Sequence, residues 1–220
     1  MTHEGWSGSN RLENLNLHKD VARREPNERS RSPAAPWQRR LVIGITAFRR
    51  PRHLERLVAS IQQRYPDVSI VVADNGDAPA ALPASVKVIH LPFDCGLSRA
   101  RNALVSATHQ EYFLLLEEDF QFTAETRIQD FVDVLEHDPE VGVVGGSLLC
   151  NGVKQDYAVR IDRHRDQLRL SPAVGGHRVT PQGVTYQICD MCFNFALFRR
   201  AMLRDHLWNE HLKLGEHYAY

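Results

Sequence analysis

Glu117, Glu118 and Asp119 stand in a row directly behind the apolar run Tyr112-Phe113-Leu114-Leu115-Leu116, and aromatic residues return at Phe120 and Phe122. A short apolar run bounded by polar residues reads as a strand buried on both faces. Three adjacent carboxylates at its end repel one another and lose hydration unless a cation or sugar hydroxyls meet them. The chemistry open to the triplet is that of a metal and nucleotide site. Its plainer reading is a solvated turn after a strand, since charge clusters without a ligand are common.

The elements that must position these acids can be read in order. Residues 41–46 (Leu-Val-Ile-Gly-Ile-Thr) give a strand signal. A loop follows, in which Pro51 suits the first turn of a helix. Leu54, Leu57, Val58 and Ile61 recur at helical spacing as far as Pro66, which ends the pattern. Residues 68–73 and 86–91 predict two more strands. Gly96-Leu97-Ser98 reads as a turn or cap before a helix over 99–105, and the strand with the acidic end comes next. This alternation is that of a mostly parallel α/β sheet flanked by helices. In such open sheets, ligands bind just beyond the carboxyl ends of the strands.

Beyond Phe122, residues 123–126 carry the pattern of a capping box. Ile128, Phe131, Val132 and Leu135 supply the buried face of the helix it would start. Residues 141–146 predict a strand ending in glycines. Residues 150–183 are polar, with a hairpin around Asp166-Gln167. Residues 187–198 again look like a strand, and a short helix begins at Arg199-Arg200.

Composition narrows the classes. The 220 residues suffice for a real core, and 43% hydrophobic with 25% charged residues is ordinary for a globular chain. A formal net charge of zero gives no global argument for nucleic acid or a membrane surface. Four cysteines are too few for a disulfide framework, and Cys189-x-x-Cys192 has no second pair with which to build a zinc site. No transmembrane stretch and no secretory signal is visible, so a cytoplasmic location is expected. Residues 1–38, rich in Arg, Asn, Ser, Glu and Pro, read as a disordered polar leader, in which Leu12, Leu15 and Leu17 could form a short helix. The folded domain is expected over 39–220.

Several residues fall at one sheet edge in this reading. Asp74 ends the second strand, and Glu117 to Asp119 end the fourth. Thr46 and Phe48 follow the first. A planar base could stack on Phe48 and donate to Asp74, and Arg101, one turn into its helix, could meet phosphate or base. Each alone is a weak signal, because an acid after a strand is usually a turn former.

Taken in order, Thr46 with Arg50-Pro51, Val72-Ala73-Asp74-Asn75, Gly96-Leu97-Ser98-Arg99-Ala100-Arg101-Asn102 and Glu117-Glu118-Asp119 resemble the nucleotide-sugar half of GT-A glycosyltransferases of the family 2-like group. Leu91-Pro92-Phe93, Val144-Gly145-Gly146 and Asp190 through Asn194-Phe195 resemble more closely the β1,4-N-acetylgalactosaminyltransferases that make ganglioside cores. The resemblance runs from about residue 41 to the end.

It implies a GT-A (Rossmann-like) fold and inverting transfer of a sugar from a UDP-sugar to a glycan or glycolipid acceptor. The sugar would be an N-acetylhexosamine or a hexose. By position, Thr46, Phe48, Arg50, Asp74, Arg101, Glu117, Glu118 and Asn194 would bind the nucleotide-sugar, with Asp74 at the base and Glu118 facing the ribose. Glu117-Glu118-Asp119 stands in place of the family's D-x-D triplet. Asp119 would then ligate Mn2+ or Mg2+, which prefer oxygen. Gly215-Glu216-His217 resembles a G-E-H element, making His217 a further metal ligand and Glu216 the catalytic base. Ala219 stands where relatives carry an acid, and relatives continue past this point. The alternative is therefore a truncated or degenerate transferase that binds nucleotide-sugar without turnover. A nucleotidyltransferase ranks last, since residues 46–50 lack a glycine-rich phosphate loop.

Overall fold

The computed structural model of the chain describes residues 35–212. The polar leader expected over 1–38 lies outside them except for residues 35–38, and so do Leu12, Leu15 and Leu17. The described residues start just before the expected boundary at 39. Pro36–Arg39 makes one helical turn, α1, and its Trp37 meets the ring of Tyr65 edge-on at 5.9 Å between centroids.

Every residue of β1 (Leu41–Ala47) is buried, which is why its sequence shows no alternation. Next come α2 (Pro51–Arg64), β2 (Ser69–Asp74), β3 (Lys87–His90), α3 (Leu97–Ser106), β4 (Tyr112–Glu117), α4 (Ile128–His137) and β5 (Val143–Gly145). A group of short strands follows: β6 (Leu148–Cys150), β7 (Val153–Gln155), β8 (Ala158–His164), β9 (Gln167–Pro172), β10 (His177–Val179), β11 (Thr185–Gln187) and β12 (Met191–Cys192). Last are β13 (Ala196–Arg199) and α5 (Met202–Asp205). The main sheet has six strands in the order β3-β2-β1-β4-β13-β5. The first four are parallel, and β13 runs antiparallel to both β4 and β5.

Alternate residues of β1 feed two cores. Leu41, Ile43 and Ile45 pack with Leu54, Leu57 and Ile61 of α2 and Ile128, Val132 and Leu135 of α4. Val42 faces the other way, with Ala100 and Leu104 of α3, Phe113, Phe198 and Trp208. Burying each such side chain stabilises by about 1.5–3 kcal/mol, so the strands whose ends carry the acids are held by cores on both faces. Gly44 sits on the α3 face, where a Cβ would lie 2.5 Å from the Phe113 ring.

Three expectations need correction. The capping box at 123–126 does not cap α4, which begins at Ile128 behind Arg127 without a side-chain cap. Thr123 and Thr126 instead close their own turn, and the Tyr65 hydroxyl accepts the Ile128 N–H at 3.1 Å. A tertiary contact thus replaces the local one. The α3 helix starts at Leu97, because Gly96 at φ 91° takes the cap position without a side-chain bond. Residues 187–198 are not one strand. Met191 and Cys192 pair with β8, while 196–199 join the main sheet, so the segment breaks between two sheets. The hairpin expected near 166–167 is present as β8–β9, with Arg165 at φ 55° in its turn.

Candidate functional site

Register brings the strand ends together. Ala47 lies beside Asp74, Thr46 beside Glu117, and Asp74 beside His90. Asp74 and Glu117 therefore flank the end of β1, at the edge where a parallel sheet binds ligands. Thr46 is buried there, its hydroxyl 3.5 Å from the Leu116 carbonyl. Asp74 is buried too, and its Oδ1 accepts the Gly76 N–H at 2.9 Å, while Asn75 N–H donates to Ala47 O at 3.1 Å. Gly76 is required for this crossing, because a Cβ would come within 2.8 Å of the Arg49 nitrogen.

The loop from β1 to α2 is held from below by Glu118. This carboxylate is only 2% exposed. It accepts the Phe48 N–H on Oε2 and Arg50 Nε on Oε1, the latter at 2.7 Å. Burial pushes the Glu118 carboxyl up, while the Phe48 amide and Arg50 favour its ionised form. Glu118 is thus turned under the loop that carries Phe48. Arg50 also reaches out of the fold: its Nη1 donates to Asp119 Oδ2 at 2.9 Å. Asp119 is the open member of the triplet, its side chain 41% exposed.

Above this loop stands an aromatic pair. Phe48 is 36% exposed and Phe93 57%, with ring centroids 5.7 Å apart. Arg49, in the left-handed region at φ 61°, lays its guanidinium over Phe93 at 5.5 Å and pairs with Asp77 at 3.0 Å. Two exposed rings beside a strand-end aspartate can receive a planar base.

Glu117 faces the opposite side of β4's end. Its Oε1 accepts Arg101 Nη2 at 3.2 Å and Asn194 Nδ2 at 2.5 Å. Arg101 is 1% exposed and its guanidinium lies 5.5 Å from the Trp208 ring centroid. Asn102 fixes Trp208 through both backbone groups, donating to its carbonyl at 2.8 Å and accepting its N–H at 3.0 Å. Phe48, Arg50, Asp74 and Glu118 of the expected nucleotide set therefore gather with the expected metal ligand Asp119 on one side, and Glu117, Arg101 and Asn194 gather on the other.

The second group opens on a cavity of about 790 Å3. Arg101 and Asn194 line it together with Tyr157, Tyr186, Asp190 and Phe193 from the segment between β5 and β13. Tyr157 and Phe193 form a ring pair at 5.3 Å. The Cys189 and Cys192 thiols also line it and are free. Burial pushes Cys192 up to about 11, which suits an inert thiol better than a redox or metal ligand.

Glu216 and His217, with Ala219, lie outside the described residues. Among the described residues, no three His, Cys, Asp or Glu side chains gather as a metal-ligand set. Asp119 still fits a hard divalent cation. It presents a half-exposed carboxylate at the sheet edge, and Mg2+ sites are commonly built from one or two carboxylates completed by substrate phosphates. No described helix is long and apolar enough to cross a membrane.

Reading the sequence missed three contributors. Phe93 was visible as an aromatic after Leu91-Pro92, but only its neighbourhood with Phe48 gives it a role. Asn102 belongs to a noticed motif, yet its partner lies 106 residues away. Trp208 left no local signal at all.

The family model for Glycosyl transferase family 2 matches residues 42–207. Beta-1,4 N-acetylgalactosaminyltransferase 1 of Mus musculus is 39% identical over 109 residues, which is 49% of this chain and 20% of that protein. Beta-1,4 N-acetylgalactosaminyltransferase 2 of Mus musculus is 38% identical over 112 residues, 50% of this chain and 22% of the relative. The chain thus spans about a fifth of the length of these curated relatives. Among solved structures, S. aureus TarS 1-349 in complex with UDP-GlcNAc superposes with a TM-score of 0.51 at 14% identity, covering 80% of this chain and 50% of that one. The same protein in complex with UDP gives 0.51 as well, at 14% identity over 80% of this chain and 52% of that one. These likenesses are of fold. With the family match running from β1 to the segment after α5, the described domain has the GT-A fold and the chain belongs to glycosyl transferase family 2.

Proposed function

We propose that this domain transfers a sugar, an N-acetylhexosamine or a hexose, from a UDP-sugar to a hydroxyl of a glycan or glycolipid acceptor, with inversion and with Mn2+ or Mg2+ at Asp119. The observation that carries the reading is the convergence of Asp74, Glu118 and Asp119 with the exposed Phe48–Phe93 pair at one end of the parallel strands. The relatives named above, and the UDP and UDP-GlcNAc complexes of TarS, support the donor class.

Uracil stacks on Phe48 and Phe93, and its N–H donates to Asp74. Glu118 acts through the loop, holding Phe48 and Arg50 in place. Asp119 would hold a divalent cation, which when bound would neutralise charge on the leaving diphosphate. Arg101, Glu117 and Asn194 form the wall between this edge and the cavity, where the sugar and the acceptor meet. The acceptor oxygen attacks the anomeric carbon on the face opposite the diphosphate, the bond to UDP breaks, and a base removes the hydroxyl proton. The resemblance of residues 215–217 to a G-E-H element supports Glu216 as that base and His217 as a further cation ligand.

A second reading, nucleotide-sugar binding without turnover, is favoured by Ala219, which replaces an acid of the relatives. Calorimetry with UDP, with and without Mn2+, followed by a UDP-release assay over a panel of UDP-sugars and glycan acceptors, separates the two. Cation-dependent binding with acceptor-dependent UDP release supports transfer. Binding without release supports the second reading, and absence of UDP binding refutes both.

A further inference from the structure

Resting on the cation site proposed above, we infer that Arg50 is a tethered counter-cation that competes with the divalent cation for Asp119, so that cation uptake depends on the nucleotide. Its guanidinium is fixed on two sides. Nε is anchored to Glu118 Oε1 at 2.7 Å, and Nη1 extends to Asp119 Oδ2 at 2.9 Å. The anchor is rigid, because Glu118 is 2% exposed and also accepts the Phe48 N–H. The outer contact is not, because the Asp119 and Arg50 side chains are both about half exposed.

A cation ligated by Asp119 would stand beside this positive charge. Even at the dielectric of water, a divalent ion and a unit charge about 4 Å apart repel enough to weaken binding by about tenfold or more. A nucleoside diphosphate removes the conflict. Its oxygens ligate the cation and at the same time accept the Nη1 donors that leave Asp119, while Nε stays on Glu118. Arginine suits this exchange, since its planar fork donates equally well to carboxylate and phosphate. Linkage then requires that cation and nucleotide raise each other's affinity by the same factor.

The test is Mn2+ uptake by the full chain, read from the electron paramagnetic resonance signal of free Mn2+, with and without UDP. Arg50→Gln should bind Mn2+ alone about tenfold more tightly than the parent chain, and the gain in Mn2+ affinity produced by UDP should shrink by a similar factor. Arg50→Lys keeps the charge and should leave affinity for Mn2+ alone near the parent value, which separates electrostatic competition from a change in loop structure. Circular dichroism spectra establish that each variant is folded, and if Arg50→Gln is not, Arg50→Ala takes its place. Mn2+ affinity in the charge-removed variant that is unchanged or weaker, while UDP-dependent uptake persists, overturns the competition and leaves the cation site standing. If no form takes up Mn2+ even with UDP, the cation site itself is refuted.

Discussion

Asn194 and Glu117 are 77 positions apart in the sequence, and Nδ2 of the first donates to Oε1 of the second at 2.5 Å. The bond joins the segment entering β13 to the end of β4, and Arg101 shares the acceptor oxygen. Asn194→Ala removes a hydrogen bond to a charged group, with Arg101 left as the partner of Glu117, and should lower stability by about 1–3 kcal/mol. Asn194→Asp sets a second carboxylate against Glu117 and should be worse at neutral pH. The excess over the alanine variant should fade on acidification, and urea titrations at two pH values measure both effects.

Asp119→Ala should abolish Mn2+-dependent UDP binding, because it removes the carboxylate through which the cation would be held at the diphosphate. Calorimetry with UDP in the presence and absence of Mn2+ checks this. Unchanged affinity in the variant would refute the assignment.

Phe93→Ala and Phe48→Ala should each weaken UDP binding while leaving the thermal midpoint nearly unchanged, since both rings are exposed. Loss of one stacking face costs about 1–3 kcal/mol per base. A fluorescence titration with UDP reads the loss. Equal affinities for parent and both variants would move the base elsewhere on the edge.

Gly44→Ala tests the support beneath the site. Its Cβ would lie 2.5 Å from Phe113 Cζ and 3.3 Å from a Leu104 methyl, all inside the core between β1 and α3. Overpacking of this kind costs about 1–3 kcal/mol, and a denaturant midpoint shifted downward is the expected result.

The acid limb of stability carries a signature at Glu111. Arg40 donates to both its oxygens, at 2.7 and 2.8 Å, and these hydrogen bonds hold the Glu111 carboxyl below its ordinary value of 4.5. A carboxyl lowered in the folded state stabilises above 4.5 and loses that contribution as pH falls through its folded value. Both side chains are about half exposed, so the contribution is about 0.2–1 kcal/mol. Glu111→Gln should therefore be slightly less stable at neutral pH, and the difference should vanish well below 4.5. Urea midpoints across the acid range follow it.

What could be read from the sequence is what local periodicity and strand-end chemistry encode. The runs at 41–47, 69–74 and 112–117 are buried on both faces, so their apolar continuity announced them, and the acids at their ends declared the edge. The buried face of α2 followed from Leu54, Leu57, Val58 and Ile61. Contacts made across the fold were not legible. Thr123-x-x-Thr126 has a threonine where a capping box needs Glu or Gln, and Tyr65, more than 60 positions upstream, serves the start of α4 instead. Glu118 and Asp119 are neighbours of the same charge, and nothing local says that one is buried under a loop while the other is open. The short strands β6 to β12 have mostly exposed residues and no periodic core face, so their pairing was hidden within a polar stretch.

Gly145 of β5 stands opposite Ala196 of β13, so the chain leaves the main sheet and returns to it at adjacent positions. Residues 146–195 are thus an excursion whose two ends are already hydrogen-bonded to each other. Lengthening or rebuilding the middle of this excursion should therefore redraw the cavity wall without shifting the register of β1, β2 or β4. Asn194 latches the excursion to Glu117, Phe195 packs on Phe122 and Phe131, and Arg178 pairs with Asp138, so any rebuilding has to preserve these ties to the body of the domain.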